Sequence, residues 1–168
     1  MLRRFLCGLM PNMQDRLDTV WMRLALAEAR AALAHDDVPI GAVAVRAGEV
    51  IGRGHNRREI DQDPTAHAEM IALREAARVV GHWRLEGVTL YCTLEPCAMC
   101  AGAMVLARLP RLVYATRDPK AGAGGSVMDI LAHPRLNHQV MVHSGLFQED
   151  AARLIVDFFA GLRAQGQK

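Results

Sequence analysis

The chain has 168 residues, the length of one domain with a single core. With 51% hydrophobic and 23% charged residues it sits at the globular average, which excludes a disordered tail protein and a fibrous repeat. Twenty Lys and Arg against 18 Asp and Glu leave a net charge of +2, too weak a field to mark a nucleic-acid binder, so any such footprint must be local.

The start, Met1 to Met10, places Arg3 and Arg4 before an apolar run that Gly8 interrupts and Pro11-Asn12 ends. It has no small-residue cleavage site and reads as a flexible leader over residues 1–17, with Met10 and Met13 as alternative natural starts. No run approaches the roughly 18 apolar residues of a membrane span, so a cytoplasmic protein with no membrane partner is expected. From Asp18-Thr19 to about Ala34, Trp21, Ala25, Ala29 and Leu33 recur every four residues and predict an amphipathic helix. Pro39 to Val45 is a continuous apolar run suited to a strand buried on both faces. Ala47-Gly48 turns it into a second strand, Glu49 to Gly52.

Asp61 to Pro64 reads as loop, with Thr65 capping a helix from Ala66 to about Val80. Val88 to Cys92 predicts a third strand, Cys97 to Ala107 a third helix and Arg111 to Thr116 a fourth strand. The Gly-rich stretch Ala121 to Ser126 lacks the Gly-Lys-Ser/Thr of a phosphate loop and reads as a flexible loop on the substrate side. A short helical segment near Met128 to Leu131, a fifth strand from Gln139 to His143 and a last helix from Gln148 to about Leu162 complete the series. Alternation of this kind predicts an α/β chain, a three-layer α/β/α sandwich around a central five-stranded mixed sheet whose strands are mostly parallel, with one antiparallel hairpin at its start. It would occupy residues 18–163, ahead of a short tail, 164–168.

Two motifs carry chemistry: His67-Ala68-Glu69, and Pro96-Cys97-Ala98-Met99-Cys100. Each sits at a predicted helix N-terminus. Cysteines three apart on a helix point to nearly the same side, Pro96 suits the first turn, and the helix dipole favours the thiolate that binds metal. With His67 they make three protein ligands and leave a fourth tetrahedral position open, the pattern of a catalytic zinc site. Glu69 is placed to take a proton from water. Of the other cysteines, Cys7 lies in the leader and Cys92 reads as a small buried hydrophobe.

His-x-Glu followed by Pro-Cys-x-x-Cys resembles the zinc nucleobase deaminases. Within them the chain is similar to the bacterial tRNA-specific adenosine deaminases through Val38 to Val43, Gly54 to Arg57, Asp63 to Glu69, Thr93 to Met104, Arg117 to Gly122, Asn137-His138 and Asp157 to Phe159. The resemblance covers roughly Trp21 to Phe159. It implies one Zn2+ per subunit and conversion of adenosine to inosine at the wobble position of a tRNA anticodon stem-loop, on a cytidine-deaminase type of fold. It also implies that Asn56 hydrogen-bonds the base, that Val38 and Leu94 wall the pocket, that Asp118 touches the neighbouring nucleotides and that Lys120 meets a phosphate. Read from the residues alone, Asn56 is equally a turn residue, and Val38 and Leu94 are equally core. Arg53, Arg57 and Arg58, then Arg117 with Lys120, and Arg153 with Arg163 and Lys168, form candidate phosphate groups. At least one of Phe158 and Phe159 is expected in the core.

The Cys-bearing helix is apolar almost all round, so a subunit interface over its outer side is expected, and the resemblance implies a homodimer. Two rivals remain: a free nucleobase or nucleoside deaminase acting on guanine, cytosine or cytidine with the same metal, and an RNA-binding module that has lost turnover.

Overall fold

The computed structural model describes residues 13–166. A five-stranded sheet in the order β2-β1-β3-β4-β5 is built from Glu49–His55, Gly41–Arg46, Val88–Leu94, Arg111–Thr116 and Met141–Ser144 respectively. β1 runs antiparallel to both β2 and β3, while β3, β4 and β5 are parallel. The sheet is thus mixed, with the parallel half confined to its second part; the single antiparallel hairpin expected from the sequence is one of two antiparallel pairings.

Period-two alternation sorts the strand residues onto two faces. Ala42, Ala44, Leu90, Cys92, Leu112 and Tyr114 join a core beneath helices α3 (Ala68–Val80) and α4 (Ala98–Leu106). Val43, Val45, Tyr91, Val113 and Ala115 join a second core beneath α1 (Met13–Ala32) and α5 (Gln148–Ala164). Because α3 lies close on β2, a Cβ at Gly54 would stand 2.3 Å from the Ala68 carbonyl oxygen. Only glycine admits that approach, and it fixes where the first turn of α3 sits.

The described residues correct several expectations. α1 covers Met13–Ala32, so residues 13–17, expected in the leader, are helical; residues 1–12, with Cys7, lie outside the described part. A four-residue helix, α2 (Arg58–Asp61), follows β2; its first amides, Glu59 and Ile60, donate to the buried Asp37 carboxylate at 2.9 and 3.3 Å. Thr65 does not cap α3; its hydroxyl donates to Asp63 at 2.7 Å, and His67 holds the N-cap position. β3 continues through Thr93 and Leu94, β5 is Met141–Ser144, and no helix forms at residues 128–131. Neither Phe158 nor Phe159 is core; the two rings meet edge-on at 5.4 Å and Phe159 is 37% exposed.

Asp18 pins α1 to the sheet. Its carboxylate accepts from Arg111 at 2.9 Å, from the Tyr91 hydroxyl at 2.7 Å and from Gln14 at 2.8 Å. Burial pushes its pKa up, but the hydrogen bonds from Arg111 and Tyr91 outweigh that and hold it below 3.8. A depressed carboxylate pKa contributes stability that is complete above the unfolded value of about 4 and is lost as pH falls through the folded one. Asp18→Asn is therefore expected to cost about 3 kcal/mol at neutral pH by leaving Arg111 unpaired, with the gap from wild type closing below about pH 4. Urea melts across pH would check this, and a pH-independent gap would refute it.

Candidate active site

The N-terminal ends of α3 and α4 meet at the carboxyl edge of β3 and β4, where ligands of such sheets gather. His67 and Cys97 are the N-cap residues of their helices, and Cys100 lies in the first turn of α4. His67 Nδ1 stands 3.7 Å from Cys97 Sγ and 3.6 Å from Cys100 Sγ, and the three ligand atoms lie within 4.8 Å of one another. Tetrahedral angles with Zn–S of about 2.3 Å and Zn–N of about 2.0 Å demand a nitrogen–sulfur spacing of about 3.5 Å. The donor set and its spacing therefore fit zinc.

The hydrogen bond from the Cys100 thiol pushes the Cys97 pKa down to about 3, toward the thiolate that ligates metal, while the Cys100 thiol itself is pushed up. Cys92 is different: it is fully buried, its thiol is pushed up by that burial, and it donates to the Leu94 carbonyl at 3.1 Å. Glu69, in the first turn of α3, is 4% exposed, and burial pushes its pKa up to about 7.

A cavity of about 550 Å3 opens over this cluster. Val38, Asn56, Leu94, Asp118 and Lys120, all singled out in the sequence, line it together with His67, Glu69 and Cys97. Asn56 is buried at the end of β2, and its amide N–H bonds the Ile40 carbonyl at 2.9 Å. The sequence reading missed Ile40, Glu95, Thr116 and one wall made by Ala152, Ile155 and Val156 of α5, with Phe159 beside them. A signal for that wall exists: Leu154, Ile155, Val156, Phe158 and Phe159 spread round α5 too widely for one core-facing stripe. A more open groove of about 700 Å3 against α1 lacks the His-Cys-Cys cluster.

Of the expected basic groups, Arg58, Arg117 and Lys120 stand at the cavity. Arg57 is instead turned onto Asp61, at 2.9 and 2.8 Å, and Arg53 faces Glu28 at 3.5 Å. Asn137 and His138 sit away from the cavity, accepting from Arg108 at 2.5 Å and bonding the Leu109 carbonyl at 2.7 Å. The Gly-rich stretch is not an open loop: Ala123 N–H bonds the Pro96 carbonyl at 2.8 Å, and Gly122 bridges to Cys97.

Residues 17–163 match the MafB19-like deaminase family. The tRNA-specific adenosine deaminase of Bacillus subtilis is 49% identical over 146 residues, spanning 87% of this chain and 91% of that one. The chain belongs to the tRNA-specific adenosine deaminases. A solved structure from work on A-to-I editing by tRNA:A34 deaminases superposes with a TM-score of 0.78 at 47% identity, covering 81% of this chain and 99% of that one. A guanine deaminase from Nitrosomonas europaea shares the fold alone, with a TM-score of 0.73 at 24% identity over 90% of this chain and 94% of its own. The mixed sheet with its helices is the cytidine-deaminase type of fold in this deaminase too.

Proposed function

We propose that the chain converts adenosine to inosine at the wobble position of a tRNA anticodon, holding one zinc ion on His67, Cys97 and Cys100 and using Glu69 to move protons. The 49% identity to a tRNA-specific adenosine deaminase over most of both chains carries the reading, and the convergence of the three ligands beside a buried glutamate supports its chemistry. When bound, zinc supplies Lewis acidity that brings the pKa of water toward neutrality.

The reaction adds water at C6 of adenine and releases ammonia. Glu69 accepts the proton that water sheds and passes it to the ring nitrogen beside C6; it then takes the proton of the hydroxyl now on C6 and delivers it to the departing amine as the C–N bond breaks. Its burial excludes bulk water that would otherwise supply those protons unselectively. The target base has to leave the stack to reach the cavity; Asn56 hydrogen-bonds its edge, and Val38 and Leu94 flank it. Asp118 touches the adjacent nucleotides. Arg58, Arg117 and Lys120 meet phosphates at the mouth.

On the outer side of α4, Ala98 and Leu106 are exposed, Leu106 at 73%, with Met99, Gly102 and Ala103 half-buried beside them. We assign this strip to the homodimer contact. Among the described residues no helix is long and apolar enough to cross a membrane, in keeping with a cytoplasmic tRNA enzyme.

The deciding assay offers purified protein an adenosine-containing anticodon stem-loop, free adenosine, guanine and cytidine in parallel and scores inosine and ammonia. Turnover of the stem-loop alone is expected, with a KM that rises steeply with salt as counterions compete for the phosphates. Deamination of a free base or nucleoside in its place would overturn the tRNA assignment.

A further inference from the structure

The segment from Asp118 to Ser126 carries one side of the cavity yet has no helix or strand to satisfy its backbone, and buried amides must find acceptors. Three of them, those of Asp118, Gly124 and Ser126, find theirs in one side chain. Glu95, 1% exposed at the end of β3, accepts from the amides of Gly124 and Ser126 through Oε1, at 2.9 and 3.0 Å, and from the amide of Asp118 through Oε2 at 3.0 Å. The Ser126 hydroxyl also donates to Oε2. The fit is close: a Cβ on Gly122 would lie 2.4 Å from the Glu95 carboxyl carbon. Asp118 continues the scaffold, its own carboxylate accepting from the amides of Lys120 and Ala121 at 2.9 and 3.2 Å.

Glu95 also stands two residues before Cys97, and its amide bonds the Thr116 carbonyl at 2.8 Å. One residue therefore links the metal-holding turn of α4 to the segment that presents Asp118 and Lys120. We propose that Glu95 is a positioning residue for RNA: it shapes the 118–126 segment so that Asp118 and Lys120 meet the nucleotides flanking the target base. This rests on the reading of those two residues as substrate contacts. Glu95 lines the cavity, but both its carboxylate oxygens are taken up by donors of the 118–126 segment, so it acts through the segment it holds.

Glu95→Gln is a sharp probe, because whichever way the amide turns, an NH2 group faces amide donors of the loop: Gly124 and Ser126 on one side, Asp118 on the other. Steady-state kinetics on the stem-loop, with zinc content and melting temperature measured on the same preparations, is expected to show KM raised about tenfold or more, kcat within about threefold of wild type, and zinc at one per chain. Ser126→Ala, which removes one donor and leaves the three amides, keeps the test open should Glu95→Gln fail to fold; its KM is expected to rise about threefold. Lys120→Ala, run in parallel, separates the two readings. A raised KM for Lys120→Ala with both clamp variants at wild-type KM would overturn the role of Glu95 and keep the loop as an RNA contact. Wild-type KM in all three variants would remove the loop from RNA binding and the proposal with it. A fall in kcat or zinc content at constant KM would assign Glu95 to the metal turn instead and equally overturn the proposal.

Discussion

Replacing Glu69 by Gln is expected to lower kcat on the anticodon stem-loop by about 10²–10⁴, the usual worth of a positioned general acid–base, with zinc still bound at one per chain. The two effects separate because Glu69 sits in the first turn of α3 behind the N-cap His67 and contributes no atom to the His-Cys-Cys triangle. Stability is expected to hold or improve, since an ionised carboxylate at 4% exposure is costly to bury and its amide isostere is less so. Single-turnover kinetics, metal analysis and a thermal melt on one preparation give all three readings. Wild-type turnover by zinc-loaded Glu69→Gln would remove the residue from the chemistry.

Cys97→Ala is expected to do the reverse, taking activity away by taking the metal away. Loss of one of three protein ligands weakens zinc by a factor on the order of 10² or more, beyond what losing a mere outer partner of a ligand costs. The wild-type chain gains stability by mass action from any metal bound only when folded, about 4 kcal/mol at a thousandfold excess over Kd. A chelator should therefore lower the wild-type melting temperature and leave that of Cys97→Ala unmoved. If Cys97→Ala keeps one tightly held zinc per chain, the assignment of the ligands falls.

The clustering of Cys97 and Cys100 was legible because its information is local: a spacing of three on a helix places two sulfurs together, and Pro96 marks that helix's start, whereas His67, expected inside a helix capped by Thr65, is the cap itself. β4 was equally plain, an apolar run bounded by Pro110 and the charge of Arg117, and its bounds agree with the structure. What was not legible depends on partners far along the chain. α2 forms with its first amides on Asp37, more than twenty residues upstream. The stretch 128–131 does not become helix because its backbone pairs back on the glycine-rich segment, the Met128 and Ile130 amides bonding the Gly122 and Ala123 carbonyls at 3.3 and 3.0 Å. β3 runs on into Thr93 because that hydroxyl accepts the Gly41 amide at 3.1 Å across the sheet, a bond no local pattern announces. The α5 wall was missed for a related reason. Its residues have two clients, Ala151 and Leu154 in the core with α1 and their neighbours Ile155, Val156 and Phe159 at the cavity.

That divided helix gives the enzyme a built-in order of completion. His67, Cys97, Cys100 and Glu69 have all been translated by residue 100, and β4 by residue 116, whereas the cavity wall formed by residues 152–159 emerges some fifty residues after Cys100. During vectorial synthesis the His-Cys-Cys cluster is therefore complete in sequence well before the wall that closes the cavity has been made.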